Sequence, residues 1–568
     1  MEDSGAGLGA TGSGASGVAG GISRPGRLRS AVFLLTVVGF VLPTAAYFWF
    51  IHRYAVNMIW QDQWNDVILV SLSYSHHLNF GAIWAQHVEN RLLFPNLIVL
   101  ILAMSTNLNI VFEEYLSALM MVVATALFIL AHRRRSPSTP WIYYCPVAFV
   151  MLSFAQAGNM LWGFQLAWYL VMISLAVTVF LVDRPTLAWL GMTGAIVVAL
   201  VGSFSSLQGL LIWPAGLVLL YCRRRSNAFV LTWITAAVVA GLLYISDLNY
   251  RAATRFGGNP SYVVHHPIAT INFFLSTVGV RHALLGVIIL AIAVWVIITR
   301  GIHRGSGDGS AVGVAMVCFG LLFAATITVG RASYGAGDWT EAVRDATFDL
   351  LILAGCYLAL LDRPSESNTH AWDQTLLGSI RAILVVTICL VVFFGFTNGI
   401  DYAGKWHQTE ALARDVTVNI KCASNSLVVS ALAPGNPSSF ATDVRQWARI
   451  ARTHDLALLG GQHTVDKRPP MTKVLRPLNG STLQGNELLD AAAVDSDNVC
   501  SVAKVEFRVT GGPLTYALIA NGKQTSVGWL GAWDTRTVPS GTYQVRSIAY
   551  SFDDRLAQST PVWVTVSN

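Results

Sequence analysis

Residues 31–51 read AVFLLTVVGFVLPTAAYFWFI, with no charged side chain among them. A helix needs about 20 apolar residues to cross the hydrocarbon core of a bilayer, so this run predicts one span. No small-residue cleavage site precedes His52 and more apolar runs follow, so it is a retained first helix and not a signal peptide. Before it, residues 1–28 are rich in Gly, Ala and Ser with Arg24, Arg27 and Arg29 at the end. Such a segment has nothing with which to build a core and reads as a disordered cytoplasmic tail. The whole chain agrees with its first span: of 568 residues 54% are hydrophobic and 12% charged, against about 25% charged in soluble domains. Mean hydropathy is +0.53. That is too little charge to cover a soluble protein of this size, and the composition predicts an integral membrane protein. Seven cysteines are scattered without CxxC or Cys/His clusters, which argues against zinc, iron–sulfur and a dense disulfide framework. No GxxxxGK[ST] loop is present, so the chain carries no ATP motor of that kind.

Ten further spans are expected near 110–131, 141–156, 166–182, 187–202, 209–222, 227–246, 282–299, 311–329, 346–361 and 380–398, eleven in all. With the N-terminus inside, the inside loops hold Arg133 to Arg135, Arg184, Arg223 to Arg225, Arg300 with Arg304, and Arg363, while the opposite loops 156–165 and 203–208 hold no charge. This is the positive-inside pattern, and an odd number of spans places everything after residue 399 outside. Two outside segments carry short apolar stretches, 92–104 and PIATINFFLSTVG in 247–281. The first is too short to span comfortably and reads as an interfacial helix.

From Lys473 the character changes. Alternating runs such as KVEFRV, TYQVRSIAY and VWVTV are separated by NG, GG, SG and DD turns, the pattern of a β-sandwich. Pro477 to Gly480, Val502 to Val509, Trp533 to Thr535 and Gly541 to Tyr543 resemble the recurring segments of small immunoglobulin-like modules in bacterial exported proteins. The chain therefore divides into the tail 1–28, a membrane domain 29–399, an extracytoplasmic connecting region 400–472 and an immunoglobulin-like sandwich 473–568. Cys422 and Cys500 both fall outside, where they either pair or stay free.

Polar residues on the outer side near the membrane are the candidates for chemistry, since charge at that depth is costly unless used. MIWQDQWNDVILV sets Asp62 and Asp66 beside Trp60 and Trp64: either a general base among indoles or a wet loop with interfacial anchors. WAQHVENRLLFPNLIV follows with His87, Glu89 and Arg91, where Arg91 suits a phosphate or merely decorates a helix boundary. Asn159, Trp162 and Gln165, then Ser205, Ser206 and Gln208, offer amides, hydroxyls and indoles that suit carbohydrate or interhelical hydrogen bonds equally. Arg331, Asp338, Glu341 and Arg344 lie outside near the ninth and tenth helices, where a bound anion would explain the two arginines.

The helix–loop–short helix–helix pattern at 31–135 resembles the GT-C class of polyprenyl-phosphate-dependent membrane glycosyltransferases. More narrowly, residues 31–360 resemble a family of uncharacterised bacterial multi-pass proteins. The matching positions are Asp62, Trp64 and Asn65, then Gln86, His87, Glu89, Asn90, Arg91, Phe94 and Pro95. Further on come Trp162, Gly163 and Gln165, then Ser203 to Gly209, Trp213 and Pro214, and last Gly330 and Arg331. The chain departs from that pattern at Asn65 and Asn90, where a second Asp and a His are usual, and at Arg344, followed by Asp345 where the family has tyrosine.

The resemblance implies a GT-C-like polytopic α-helical membrane protein of about eleven spans. It would be an inverting glycosyltransferase on the outer face of the plasma membrane, moving sugar from a polyprenyl phosphate to an envelope glycan or lipid. The donor would reach the site sideways, near 247–281. Asp62 would be the base; Asp66, His87 and Glu89 would orient base and acceptor; Arg91, Arg331 and Arg344 would hold the lipid phosphate. Trp64, Asn159, Trp162, Gln165 and Gln208 would complete substrate binding. No nucleotide or nucleic acid is required; a divalent cation is left open. The rival expectations are a lipid-linked-sugar flippase, disfavoured by the scarcity of charge between 141 and 246, and a non-catalytic envelope scaffold.

Overall fold

The computed structural model of the chain describes residues 24–249, 261–302, 308–335, 339–362, 371–458, 468–495, 500–552 and 554–568. Most of the expected tail, residues 1–23, lies outside them. The apolar run is one helix, α1 (Arg24–Tyr54), which carries Pro43 inside it. It meets the chain again at α5 (Cys145–Met151) through Gly39, where a Cβ would stand 2.4 Å from Cys145 Sγ. After α1 come α2 (Trp64–Tyr74), the two-residue strands β1 (Gln86–His87) and β2 (Asn90–Arg91), α3 (Leu93–Thr106) and α4 (Ile110–Arg135). Beyond α5 follow α6 (Leu166–Val182), α7 (Trp189–Ser203), α8 (Ile212–Cys222) and α9 (Asn227–Ile245). Then come α10 (Pro267–Val278), α11 (Ala283–Val296), α12 (Ser310–Arg331), α13 (Trp339–Leu361) and α14 (Ala371–Val418).

A helix therefore stands at each expected span, yet among the described residues eight helices are long and apolar enough to cross a membrane. Trp189–Ser203 and Leu207–Cys222 are short apolar helices. The first half of α13 is broken up by Glu341, Arg344, Asp345 and Asp349. The two short apolar stretches are α3 and α10.

The arginine loops gather at one end of the bundle. Asp183, fully buried, takes Arg223 Nε at 2.5 Å and Arg135 Nε at 3.6 Å. Arg134 lies over Phe180 with its guanidinium 3.9 Å from the ring centre, and Arg225 donates to the Val182 carbonyl at 3.1 Å. The 26 residues of α4 carry the chain about 39 Å from this end to the end where the outer-loop candidates sit. Close helix approach uses small residues: a Cβ on Gly313 of α12 would stand 2.3 Å from the Gly355 carbonyl oxygen of α13.

α14 runs unbroken from Ala371 to Val418, so the boundary drawn at residue 399 falls inside a helix. Its C-terminal part, with α15 (Asn425–Leu432) and α16 (Ala441–Thr453), packs against the segment that follows α1. Trp60 Nε1 donates to the Ala431 carbonyl at 3.0 Å and Trp64 Nε1 to the Leu432 carbonyl at 3.2 Å. Tyr74 stacks on His454, ring centres 4.3 Å apart. The connecting region is thus a cap on residues 60–107, a role its sequence did not declare.

Among the described residues nine strands form the C-terminal domain in the order β3 (Met471–Arg476), β5 (Asn486–Val494), β8 (Trp529–Asp534), β7 (Leu514–Gln524), β6 (Val502–Gly511), β9 (Gly541–Ser551), β11 (Val562–Val566), β4 (Thr482–Leu483), with β10 (Leu556–Gln558) also on β9. Alternation along the strands turns Val505, Phe507, Val509, Tyr543, Val545 and Val564 into a core separate from the helical one, as period-2 side chains require. Cys422 and Cys500 are disulfide-bonded, tying the cap to this domain.

Candidate functional site

The connection between α1 and α4 builds the site from two tight features. Gln61–Gln63 is a 3₁₀ turn in which Gln61 has φ 48° and Gln63 Oε1 accepts from Trp60 N at 3.3 Å. It leaves Asp62 half-exposed at the head of α2. Opposite it, β1 and β2 pair antiparallel, His87 facing Asn90, through a turn that holds Val88 at φ 50°. A β-branched residue at positive φ is a strained one, kept only where its surroundings leave no alternative. The surroundings do so here. Asn249 N donates to Gln86 Oε1 at 2.7 Å, Tyr244 Oη to the Glu89 carbonyl at 2.8 Å, and Gln86 Nε2 to the Val88 carbonyl.

The hairpin delivers His87 Nε2 to 3.6 Å from Asp62 Oδ1, while His87 Nδ1 lies 3.3 Å from Asn65 Nδ2. Asn65, a departure from the family pattern, thus supports the imidazole directly. Asp66 lies one turn into α2 and is buried. Burial raises its carboxyl to about 7, with His87 acting to lower it and Asp62 to raise it. For His87, burial alone would lower the imidazole, but the adjacent carboxylate of Asp62, then those of Asp66 and Glu89, carry it above its ordinary value. Phe164 forms the wall behind, edge-on to His87 at 5.2 Å between ring centres. Trp162 stands 5.7 Å from Phe164 and 5.5 Å from Trp60, and Arg344 lies over Trp162 at 5.1 Å. Asp62, His87, Asp66, Glu89 and, along a row of rings, Trp162 and Arg344 therefore share one end of the molecule. Arg331 ends α12, and its charge acts on Asp345 together with that of Arg344.

Several expected binding residues do something else. Arg91 is 3% exposed, and its guanidinium donates to the carbonyls of Tyr244 (3.5 Å), Trp84 (3.2 Å) and Ser246, with its charge over the Trp84 ring. It fastens the hairpin to the end of α9 and is spent on that task, so the phosphate-holding role expected of it is corrected to a structural one. Trp64 is buried against the cap. Asn159 Nδ2 donates to the Arg344 carbonyl at 2.7 Å and Thr347 Oγ1 at 2.6 Å, an interhelical contact. Gln208 accepts from Ser206 Oγ, in a turn that Asn90 Oδ1 holds by accepting from Ser206 Oγ at 3.0 Å and Leu207 N at 2.9 Å. Gln165 is buried at the start of α6. The amides of Asn159 and Asn90 each join two segments distant in the chain.

Sequence reasoning passed over Phe164, Asn65 as a ligand of His87, and the buried carboxylates Glu113, Glu114 and Glu410. Glu113 reaches the site from behind: a Cβ on Gly163 would stand 2.5 Å from its Oε2 and 2.8 Å from Gln63 Nε2. Paired acids inside an apolar helix were the available signal. Among the described residues no three of His, Cys, Asp and Glu converge as metal ligands.

The raised Asp66 carboxyl has a consequence for stability. Between about pH 4 and pH 7 the unfolded chain has lost this proton and the folded one keeps it, so stability is full below pH 4 and falls as pH rises to 7. Asp66→Asn should therefore show a shallower fall in melting temperature across that window than the wild type. Parallel curves would remove Asp66 from the titrating set.

No curated protein matches the chain in sequence. Among solved structures, slight likenesses exist to an endo-β-1,4-mannanase from Thermotoga petrophila (16% identity, 23% of this chain and 25% of that one, TM-score 0.15). Another is to fibronectin(III)-like modules of Clostridium thermocellum CbhA (24% identity, 17% and 45%, TM-score 0.14). The chain spans less than half of either, and neither likeness informs the fold. Residues 470–546 match the family model of the bacterial Ig domain, so the strands after the cap form a bacterial Ig-like domain at the C-terminal end of a mainly helical chain.

Proposed function

We propose that this chain is an inverting glycosyltransferase that takes sugar from a polyprenyl-phosphate donor at the outer face of the plasma membrane and passes it to an envelope glycan or lipid. The observation that carries the reading is the meeting of half-exposed Asp62 with His87 at 3.6 Å, backed by buried Asp66 and flanked by Glu89. In the step, the acceptor oxygen attacks the anomeric carbon and Asp62 receives its proton. The bond from that carbon to the phosphate oxygen breaks, and its electron pair leaves with the lipid phosphate. A base in this position must stay oriented; His87 stands beside it at 3.6 Å, its imidazole carried above its ordinary value by the surrounding carboxylates. Arg344 and Arg331, whose charges lie at this end of the molecule, are the proposed partners of the leaving phosphate.

The membrane setting rests on eight apolar helices among the described residues and on arginine gathered at the opposite end, which the positive-inside rule assigns to the cytoplasm. The Cys422–Cys500 bond and the bacterial Ig-like domain suit an oxidising, extracytoplasmic side. One observation favours the flippase rival: Glu113, Glu114 and Glu410 are buried carboxylates in the helical core, and such groups mark transport routes in other membrane proteins.

The experiment is transfer by the purified full chain from a panel of radiolabelled polyprenyl-phosphate sugars. Label moving to an added acceptor or to water is the expected result. Donor that stays intact but crosses the bilayer of a proteoliposome would replace the transferase with the flippase. Neither turnover nor movement, with folded protein, would leave a scaffold.

A further inference from the structure

Eight basic and eight acidic residues lie between 471 and 568, so the bacterial Ig-like domain is neutral as a whole. Its charges are not evenly spread. Strands β7, β6, β9, β11 and β4 lie side by side, and they carry Lys504, Arg508, Lys523 and Arg546 against one acid, Glu506. Alternation decides which face these take. Val505, Phe507, Val509, Val545 and Val564 belong to the domain core, so Lys504, Glu506, Arg508, Arg546 and Trp563 stand on the opposite face. There Glu506 is shared. It accepts from Lys504 Nζ at 2.8 Å, from Arg508 Nε at 3.1 Å and Nη2 at 2.9 Å, and from Tyr550 Oη at 3.0 Å. One carboxylate thus offsets two cations, and Arg546 adds a third directly opposite Arg508 on the neighbouring strand. Like charges so placed repel. The one described hydrogen bond of Arg546, to the Ser559 carbonyl, is long at 3.5 Å, and most of its five N–H donors are left over.

Beside Arg546 the same face carries an indole. Trp529 and Trp533 are buried in the domain core, whereas Trp563 is turned out and 48% exposed. It faces Gln544 across β11 and β9, and Gln544 in turn faces Thr510 on β6. Arg546, two residues from Gln544, is its diagonal neighbour. The backbone of Trp563 is held from the other side of the strand, where its N donates to Asn479 Oδ1 at 2.9 Å and its carbonyl accepts from Gly480 N at 2.7 Å. Both groups being used there, its pair with Gln544 is the non-hydrogen-bonded kind, in which side chains stand closest. The ring is therefore fixed in a row of polar side chains. A pyranose has an apolar face of C–H groups and a rim of hydroxyls. An indole suits the first, an amide and a hydroxyl such as those of Gln544 and Thr510 suit the second, and an acidic sugar adds a carboxylate for a guanidinium.

We propose that this face of the Ig-like domain binds an acidic polysaccharide. The chain lies across β11, β9 and β6, with one sugar stacked on Trp563, its hydroxyls on Gln544 and Thr510, and its carboxylate on Arg546. Lys504 and Arg508, with one carboxylate between them, add to the positive field that draws a polyanion. The Cys422–Cys500 bond keeps the glycan tethered beside the helical part of the chain. The inference goes beyond sugar transfer, because the face needs no donor and no reaction to hold its ligand.

The test titrates the full chain in a neutral detergent with oligogalacturonate, followed by calorimetry. Maltodextrin of similar length and polyglutamate are the controls, sugar without charge and charge without sugar. Saturable binding of oligogalacturonate is expected, tighter than either control and weakened by salt. Trp563→Thr should raise the dissociation constant about tenfold. Threonine suits a strand and leaves the backbone bonds to Asn479 and Gly480 in place. Arg546→Gln should raise it by a similar factor, and because it also relieves the repulsion from Arg508 its melting temperature should hold or rise, which separates lost binding from lost fold. Unchanged affinity in both variants overturns the proposal, as does folded wild type that binds no oligogalacturonate. Equal binding of polyglutamate overturns the sugar assignment, and equal binding of maltodextrin the acidic one. No donor lipid enters the titration, so each result stands whether or not the chain transfers sugar.

Discussion

Transfer is expected to fall by a factor of about 10²–10⁴ when Asp62 is replaced by asparagine, the range by which a positioned general base accelerates proton transfer. Asparagine keeps the size of the side chain and can still hydrogen-bond His87, so the 3₁₀ turn at 61–63 and the contact at 3.6 Å should persist. Only the capacity to take a proton is lost. The measurement is single-turnover transfer from whichever radiolabelled donor the wild type uses, beside a melting curve for each protein. Equal rates would remove Asp62 as the base and direct attention to Glu89, whose half-buried carboxylate acts on His87 from the other side of the hairpin turn. His87→Gln should lose less, since it alters the charge beside the base and leaves the base in place.

Arg91→Ala is expected to lower stability by about 2–4 kcal/mol, the second large effect. The guanidinium is 3% exposed and donates to carbonyls of Tyr244, Trp84 and Ser246. Without it those acceptors lose their buried donors, at about 1–3 kcal/mol for each left unsatisfied. Arg91→Lys should rescue little, because one ammonium on a flexible stem cannot reproduce a planar fork aimed at separate carbonyls. Thermal unfolding in detergent reads the loss. A variant with unchanged melting temperature that no longer retained lipid phosphate would return Arg91 to the role expected from its sequence. The strained Val88 turn carries His87 and Glu89 on the same hairpin, so the stability loss should be accompanied by lower activity.

Much of the architecture was legible because its causes are local. An uncharged run long enough for a bilayer declares a helix wherever it lies, and a helix stands at every expected span. Alternation with NG, GG and SG turns likewise declared a sandwich from Lys473 with strands at runs such as KVEFRV, TYQVRSIAY and VWVTV, since period-2 side chains need only their own neighbours in sequence. Helix ends were less legible. α14 was expected to stop near 398 and continues to Val418, because its outer part is held by side-to-side contacts such as Trp406 Nε1 donating to the Leu161 carbonyl at 2.8 Å.

The candidate site divides along the same line. Sequence alone determined which residues lie between the apolar runs, that Asp62, Asp66, His87 and Glu89 belong to one such connection, and that the arginine clusters 133–135 and 223–225 fall in other ones, for these follow from order along the chain. The tertiary structure decided which of them face one another. It set His87 against Asp62 through a hairpin clamped by residues 244–249, and turned Trp64 and Arg91 to structural work. It also supplied Phe164 and Arg344 from segments about 100 and 280 residues away. A guanidinium suits a phosphate or three carbonyls equally well, and only the surroundings into which folding carries it determine which it meets.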